Sequence, residues 1–181
     1  SSSNVDPDFV EIGNPDLIAK RPHRQVPIPP GGDLSDYVPF YFTPYSPMLY
    51  NILTGYNGIR QRTRSEIVIL VSSLRRISQQ GLPFVFTDRH AYLIPANFYS
   101  DLGALDQIDW RILRARDFKR DLNDLGKVER YQAEALVHQR VPIQSLLGIV
   151  CAGQVPETEL RPMVATAGVD AEILVRPNWY F

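Results

Sequence analysis

The chain has 181 residues, 44% of them hydrophobic and 22% charged, which predicts one globular domain with room for a proper core. A formal net charge of -1 argues against coating duplex DNA through bulk charge, though it leaves a local basic groove open. One cysteine, Cys151, excludes an intrachain disulfide, and no apolar run is long enough to cross a bilayer.

In chain order, Ser1 to Asp36 is proline-rich and irregular, with one short helix over Asp16 to Arg21 ended by Pro22. Val26 to Gly32 must be extended and then turn. Tyr37 to Phe42 is aromatic and extended. Ser46 supplies a cap and Pro47 a first turn for a helix through Leu53, stopped by Gly55. Glu66 to Val71 is a β-branched run and predicts a buried strand. Leu74 to Gln80 predicts a helix ended by Gly81. Pro83 to Phe86 and Ala91 to Ile94 predict two strands around the polar corner Thr87-Asp88-Arg89-His90.

Asn97 to Leu105 and Trp110 to Arg116 read as helices, and Asp117 to Arg130 as a charged loop. Ala133 to His138, Gly148 to Cys151 and Glu172 to Arg176 predict strands, with a helix over Glu157 to Ala167 between the last two. Seven strands mixed with short helices make an α+β pattern in one domain. Cys151 lies in an apolar run and reads as a buried structural thiol in a reducing cytoplasm.

Four groups of residues could carry chemistry. Alternation places Glu134, Leu136 and His138 on one face of their strand. A carboxylate between alanines either faces solvent or lies in a cleft for a functional reason. Thr87 to His90 is a corner suited to binding residues; its bland alternative is a turn in which Asp88 caps amides and pairs with Arg89. Lys20-Arg21-Pro22-His23-Arg24 holds guanidinium groups able to grip a diphosphate, or is simply solvated. Arg116, Lys119, Arg120, Lys127 and Arg130 mix with Phe118 and Tyr131, a combination suited to single-stranded nucleic acid, although nearby acids nearly cancel the charge. No phosphate-binding glycine loop, HExxH or nucleophile elbow is present, and one Cys with three His cannot build a standard zinc site.

Val26-Pro27, Pro30-Gly31-Gly32, the aromatic run Asp36 to Phe42, Ser46-Pro47-Met48-Leu49-Tyr50, Gly81 to His90, Gln132-Ala133-Glu134 and Trp179-Tyr180-Phe181 together resemble the DarT family of DNA ADP-ribosyltransferase toxins. The resemblance runs from about Asn14 to Phe181. It implies a split, mixed β-core with short peripheral helices and NAD in its cleft as co-substrate, with no metal. It implies transfer of ADP-ribose to a base of single-stranded DNA, thymine with guanine as the alternative acceptor. It implies a DarG-like macrodomain antitoxin as partner, and no membrane association.

Carried over by position, the resemblance implies Glu134 as the catalytic carboxylate, with His90 and Arg21 beside it. Arg21, with Arg24 as the near alternative, would contact NAD together with Tyr41 and Met48. Arg89, Arg116, Lys119, Arg120 and Arg130 would face DNA. Two departures stand out. The family's opening His-x-Thr strand has no counterpart, since Ser1 to Gly13 lacks histidine, so an N-terminally truncated chain with weak NAD binding and an exposed sheet edge is expected. Tyr45 stands where some relatives carry arginine. The rival readings are a truncated fragment that binds single-stranded DNA or the antitoxin without turning over NAD, and a transferase acting on RNA or protein.

Overall fold

A computed structural model describes residues 12–181. The expectations for Ser1 to Glu11, including the unmatched N-terminal strand, lie outside the described residues.

Asn14 caps α1 (Pro15–Lys20) by accepting from Asp16 and Leu17 amides. A 3₁₀ turn, Arg21–His23, follows it directly. β1 (Tyr37–Tyr41) leads to α2 (Pro47–Thr54), where Ser46 Oγ accepts from the Leu49 amide. Gly55 ends α2 with φ 71°, a left-handed conformation that glycine adopts without a Cβ penalty.

β2 (Ile69–Val71) is shorter than expected. Thr63 and Glu66 form a capping box over Arg64–Glu66, so the expected strand starts as a 3₁₀ turn. Nor is the run buried throughout: Ile67 is, but Val68 and Leu70 are exposed, because β2 is an edge strand beside the cleft described below. α3 (Leu74–Gln79) and β3 (Phe84–Thr87) follow as expected.

Ala91 to Ile94 is not a strand. It is a pair of turns, with Leu93 N donating to His90 O and Ala96 N to Leu93 O. Its backbone is already engaged by side chains. Glu134 accepts from the Ala91 amide, and Arg24 donates to the carbonyls of Ala91, Leu93 and Ile94. No free ladder edge remains for pairing. Asn97 to Leu105 is not one helix either. Asp88 binds both the Asn97 amide and its side-chain Nδ2, so the chain stays extended as β4 (Phe98–Tyr99) beside β3. Asp101 then starts a 3₁₀ helix, Leu102–Gln107.

α4 (Trp110–Ala115) is capped by Asp109. The charged loop after it holds a short helix, α5 (Lys127–Tyr131), missed in the sequence. β5 (Glu134–His138), β6 (Gly148–Cys151), α6 (Gln154–Thr166) and β7 (Glu172–Val175) complete the order.

The strands form two sheets. One is antiparallel in the order β1-β5-β3-β4; the other is mixed, β2-β6-β7, with β6 and β7 parallel. Central β5 divides two cores. Ala133, Ala135 and Val137 pack with Phe86, Ile112 and Tyr131 on one face. Leu136 packs with Leu34, Tyr37 and Val85 on the other. A third core joins α2 to the second sheet through Ile52, Ile67, Val150 and Tyr180.

Candidate active site

Glu134 is 3% exposed, so the solvated-face reading fails. Its place at the start of β5 is fixed from both sides. Tyr41 of β1 stands directly opposite it, and Thr87 Oγ1 of β3 accepts from its amide at 3.2 Å. Thr87 Oγ1 in turn donates to the Arg89 carbonyl at 2.6 Å, folding the corner back over the strand. His90 Nδ1 thereby comes within 2.9 Å of Glu134 Oε1, which also accepts from the Ala91 amide at 3.1 Å. Arg21 Nη1 donates to Oε2 at 3.3 Å. Every contact to the carboxylate comes from a different segment than its own strand.

Burial alone would push the Glu134 carboxyl up. The His90 hydrogen bond, the Arg21 charge and the Ala91 amide outweigh it and hold the group below its ordinary range. The Tyr41 phenol moves the other way, raised by burial and then by the Glu134 charge. Tyr41 therefore stays a neutral hydroxyl at any working pH.

The His90 tautomer follows from competing distances. The Tyr92 amide approaches Nδ1 at 3.4 Å, but Glu134 Oε1 lies closer at 2.9 Å and is anionic. The charge-assisted bond is the stronger, so Nδ1 carries its proton toward Glu134. Nε2 is the nitrogen left for a ligand.

Arg21, Tyr41, Met48, His90 and Glu134 line one cavity of about 950 Å³. Its walls come from the edge strands β1 and β2, the start of α2, and the aromatic rings of Phe40, Phe42 and Trp110. That volume lies near the top of the range for small-molecule sites, about 300–1,000 Å³. Arg24 is not part of it. Its guanidinium serves the carbonyls of the 91–94 turns. Phe42, Trp110 and Arg75 line the cavity and were not singled out in the sequence, where nothing local shows which aromatic or arginine will face a cleft.

The cations assigned to DNA separate into two kinds. Arg130 binds Asp124 at 2.7 Å and Asp109 at 3.3 Å, and Arg89 pairs with Asp88 and Glu129. Lys127 is buried and holds Asp117 at 2.6 Å and Asp121 at 4.0 Å. These groups knit the loop and consume its acids. Arg116, Lys119 and Arg120 are exposed and have no carboxylate partner among the described residues. Arg116 sits at φ 54°, with its guanidinium 3.8 Å over the Tyr45 ring. The bland reading of Asp88 is also realised, since it caps Asn97 and pairs with Arg89, yet the same corner delivers His90.

Among the described residues, no group of three or more His, Cys, Asp or Glu is placed to hold a metal, and no helix is long and apolar enough to cross a membrane. Cys151 is buried and free.

Comparison with known proteins gives the family. A family model described as "ssDNA thymidine ADP-ribosyltransferase, DarT" matches residues 1–181. A DNA ADP-ribosyl transferase of Escherichia coli O127:H6 is 51% identical over 174 residues, covering 96% of this chain and 80% of the relative. The structure of Thermus sp. 2.9 DarT in complex with ADP-ribosylated ssDNA superposes with a TM-score of 0.89 at 35% identity, over 97% of this chain and 83% of that one. The same Thermus protein in complex with NAD+ gives 0.82 at 36% identity, over 90% and 81%. The chain belongs to the DarT family of single-stranded DNA thymidine ADP-ribosyltransferases.

Proposed function

We propose that this chain transfers ADP-ribose from NAD to thymine in single-stranded DNA, with Glu134 as the catalytic carboxylate, His90 as the proton acceptor and Arg21 as the group that positions Glu134. The observation that carries the reading is the buried, charged Glu134 held at the wall of the large cavity by His90, Ala91 and Arg21.

The lining suits NAD: flat aromatic walls for its rings, a carboxylate for its ribose and an exposed arginine, Arg75, at the wall. NAD when bound supplies the ribosyl carbon, whose bond to nicotinamide breaks as positive charge grows on the sugar. Glu134 holds a negative charge beside that position and costs no reorganisation, because its hydrogen bonds are already made. Thymine N3 loses a proton as it attacks. His90 Nε2 accepts it, while Nδ1–H stays on Glu134, which stabilises the imidazolium. N3 is paired in duplex DNA, so a single strand is the accessible acceptor.

Exposed Arg116, Lys119 and Arg120 are assigned to the DNA phosphates, and Arg89 and Arg130 to holding the loop that carries them. A DarG-like macrodomain antitoxin and a cytoplasmic location are assigned on family membership.

The test is labelling of a thymidine-containing single strand by wild type and Glu134→Gln. The substitution should lower the rate at least about a hundredfold while circular dichroism stays native. Strong labelling by Glu134→Gln, or of a strand without thymine, would sink the assignment.

A further inference from the structure

In the sequence Arg21 reads as the cation that grips the NAD diphosphate, but its guanidinium is committed elsewhere. Nε and Nη2 both donate to the Leu34 carbonyl, at 3.2 and 3.0 Å, and Nη1 donates to Glu134. Arg21 and Glu134 also cancel in charge, so the pair offers a diphosphate little net attraction. An anionic ligand in this cavity needs another positive group.

Two Arg or Lys side chains among the described residues line the cavity, Arg21 and Arg75. Arg75 lies in the first turn of α3, four residues after β2, the edge strand of the cleft wall. Leu74 and Ile77 bury that helix in the core, so the backbone beneath Arg75 is fixed. Its side chain is exposed and enters no hydrogen bond or ion pair among the described residues. The groups around it are occupied. Ser72 donates to the Ser145 carbonyl at 2.6 Å, and Ser73 Oγ accepts from the Arg76 amide at 3.1 Å. The neighbouring Arg76 points to the Gln144 carbonyl, donating from Nε at 3.1 Å and Nη2 at 2.5 Å. One arginine of the pair thus fastens α3 to the fold, and the other is left to the cleft.

We propose that Arg75 is the cation that holds the NAD diphosphate, a role that rests on the reading of the cleft as the NAD site. A guanidinium offers paired N–H donors to two phosphate oxygens. Arg75 is not among the partners of the buried carboxylate, which are His90, Ala91 and Arg21. Its contribution belongs to binding of NAD in ground and transition states alike, which raises affinity without changing the chemical step.

Wild type, Arg75→Ala and Arg75→Lys are compared in two measurements. Arg75 sits exposed on a helix, where alanine is well tolerated, so folding is retained. In calorimetric titrations at low salt, Arg75→Ala should weaken ADP binding about tenfold and leave adenosine unchanged, with Arg75→Lys in between. In labelling assays, KM for NAD should rise by a similar factor while kcat changes little. Equal ADP affinity in wild type and Arg75→Ala, no ADP binding by wild type, or a fall in kcat at constant KM would each overturn the proposal. Failure of wild type to label DNA, with the ADP difference intact, would sink the proposed reaction and leave Arg75 as the diphosphate cation.

Discussion

Glu134 is a buried carboxylate that remains ionised because three partners were placed around it in advance. Its folded pKa lies below the ordinary 4.5. Its stabilising contribution is therefore fully present above about pH 4.5 and is lost as pH falls through the lower folded value. Wild type should lose stability over that acid window, and Glu134→Gln should show a flatter profile there, as read by urea denaturation at stepped pH. Identical profiles would mean that Glu134 is not held below its ordinary range. His90 makes a separate prediction. If His90 takes the acceptor proton as proposed, His90→Ala should lower kcat about a hundredfold, with KM for NAD little changed. A change confined to KM would assign His90 to binding. Arg21→Lys also should not be conservative, since one ammonium cannot hold the Leu34 carbonyl and Glu134 with the same fixed fork.

At the scale of elements, the proposed contact with DNA rests on the segment from α4 to β5. Its acids are paired inward with Lys127, Arg130 and Arg89, which leaves Arg116, Lys119 and Arg120 uncompensated on the surface. Arg116 is further fixed by its stack on Tyr45 in a left-handed backbone that a non-glycine residue adopts at some cost. Arg116→Ala should weaken binding of a single-stranded oligonucleotide and reduce the log–log salt slope by about 0.7. Arg130→Ala should leave that slope nearly unchanged and speed amide exchange across residues 117–126, because it releases the loop rather than a phosphate. The same slope change for both variants in fluorescence anisotropy titrations would refute the division. Tyr45 thus has a definite place in this chain: its ring carries Arg116 and its hydroxyl donates to the Asn178 carbonyl.

Across the whole molecule, the cavity exists because two sheets present edge strands, β1 and β2, to one space. The second sheet is tied together by Tyr180, whose hydroxyl lies 3.0 Å from the Ile67 carbonyl and 2.9 Å from that of Val150. One hydroxyl proton is shared between two acceptors on β6 and the chain leading to β2. Burial, aided by Cys151, pushes the phenol up to about 12, so it remains a donor throughout the working range. Tyr180→Phe should cost about 1–2 kcal/mol and lower Tm by several degrees, with labelling at low temperature preserved. An unchanged Tm in thermal denaturation would show that the phenol is not a structural tie.

The sequence by itself determined what local chemistry controls. Ser46, Pro47 and Gly55 bound α2, the alternation around Glu134 assigned its face of β5, and the linked motifs from Val26 to Phe181 identified the family. Cap, turn and alternation signals each act within a few residues, so they are readable in one dimension. The tertiary structure decided the rest. Ala91 to Ile94 has the residues of a strand, but Arg24 and Glu134, distant in the chain, take its backbone groups. Asp88 likewise captures Asn97 and keeps Phe98–Tyr99 extended where a helix was expected. Whether Arg21 faced a phosphate or a carboxylate, which cations were left without an acid partner, and that Arg75 reached the cleft all depended on neighbours that only the fold selects. Charge pairing and burial are properties of neighbours in space, and no period or spacing in the chain encodes them.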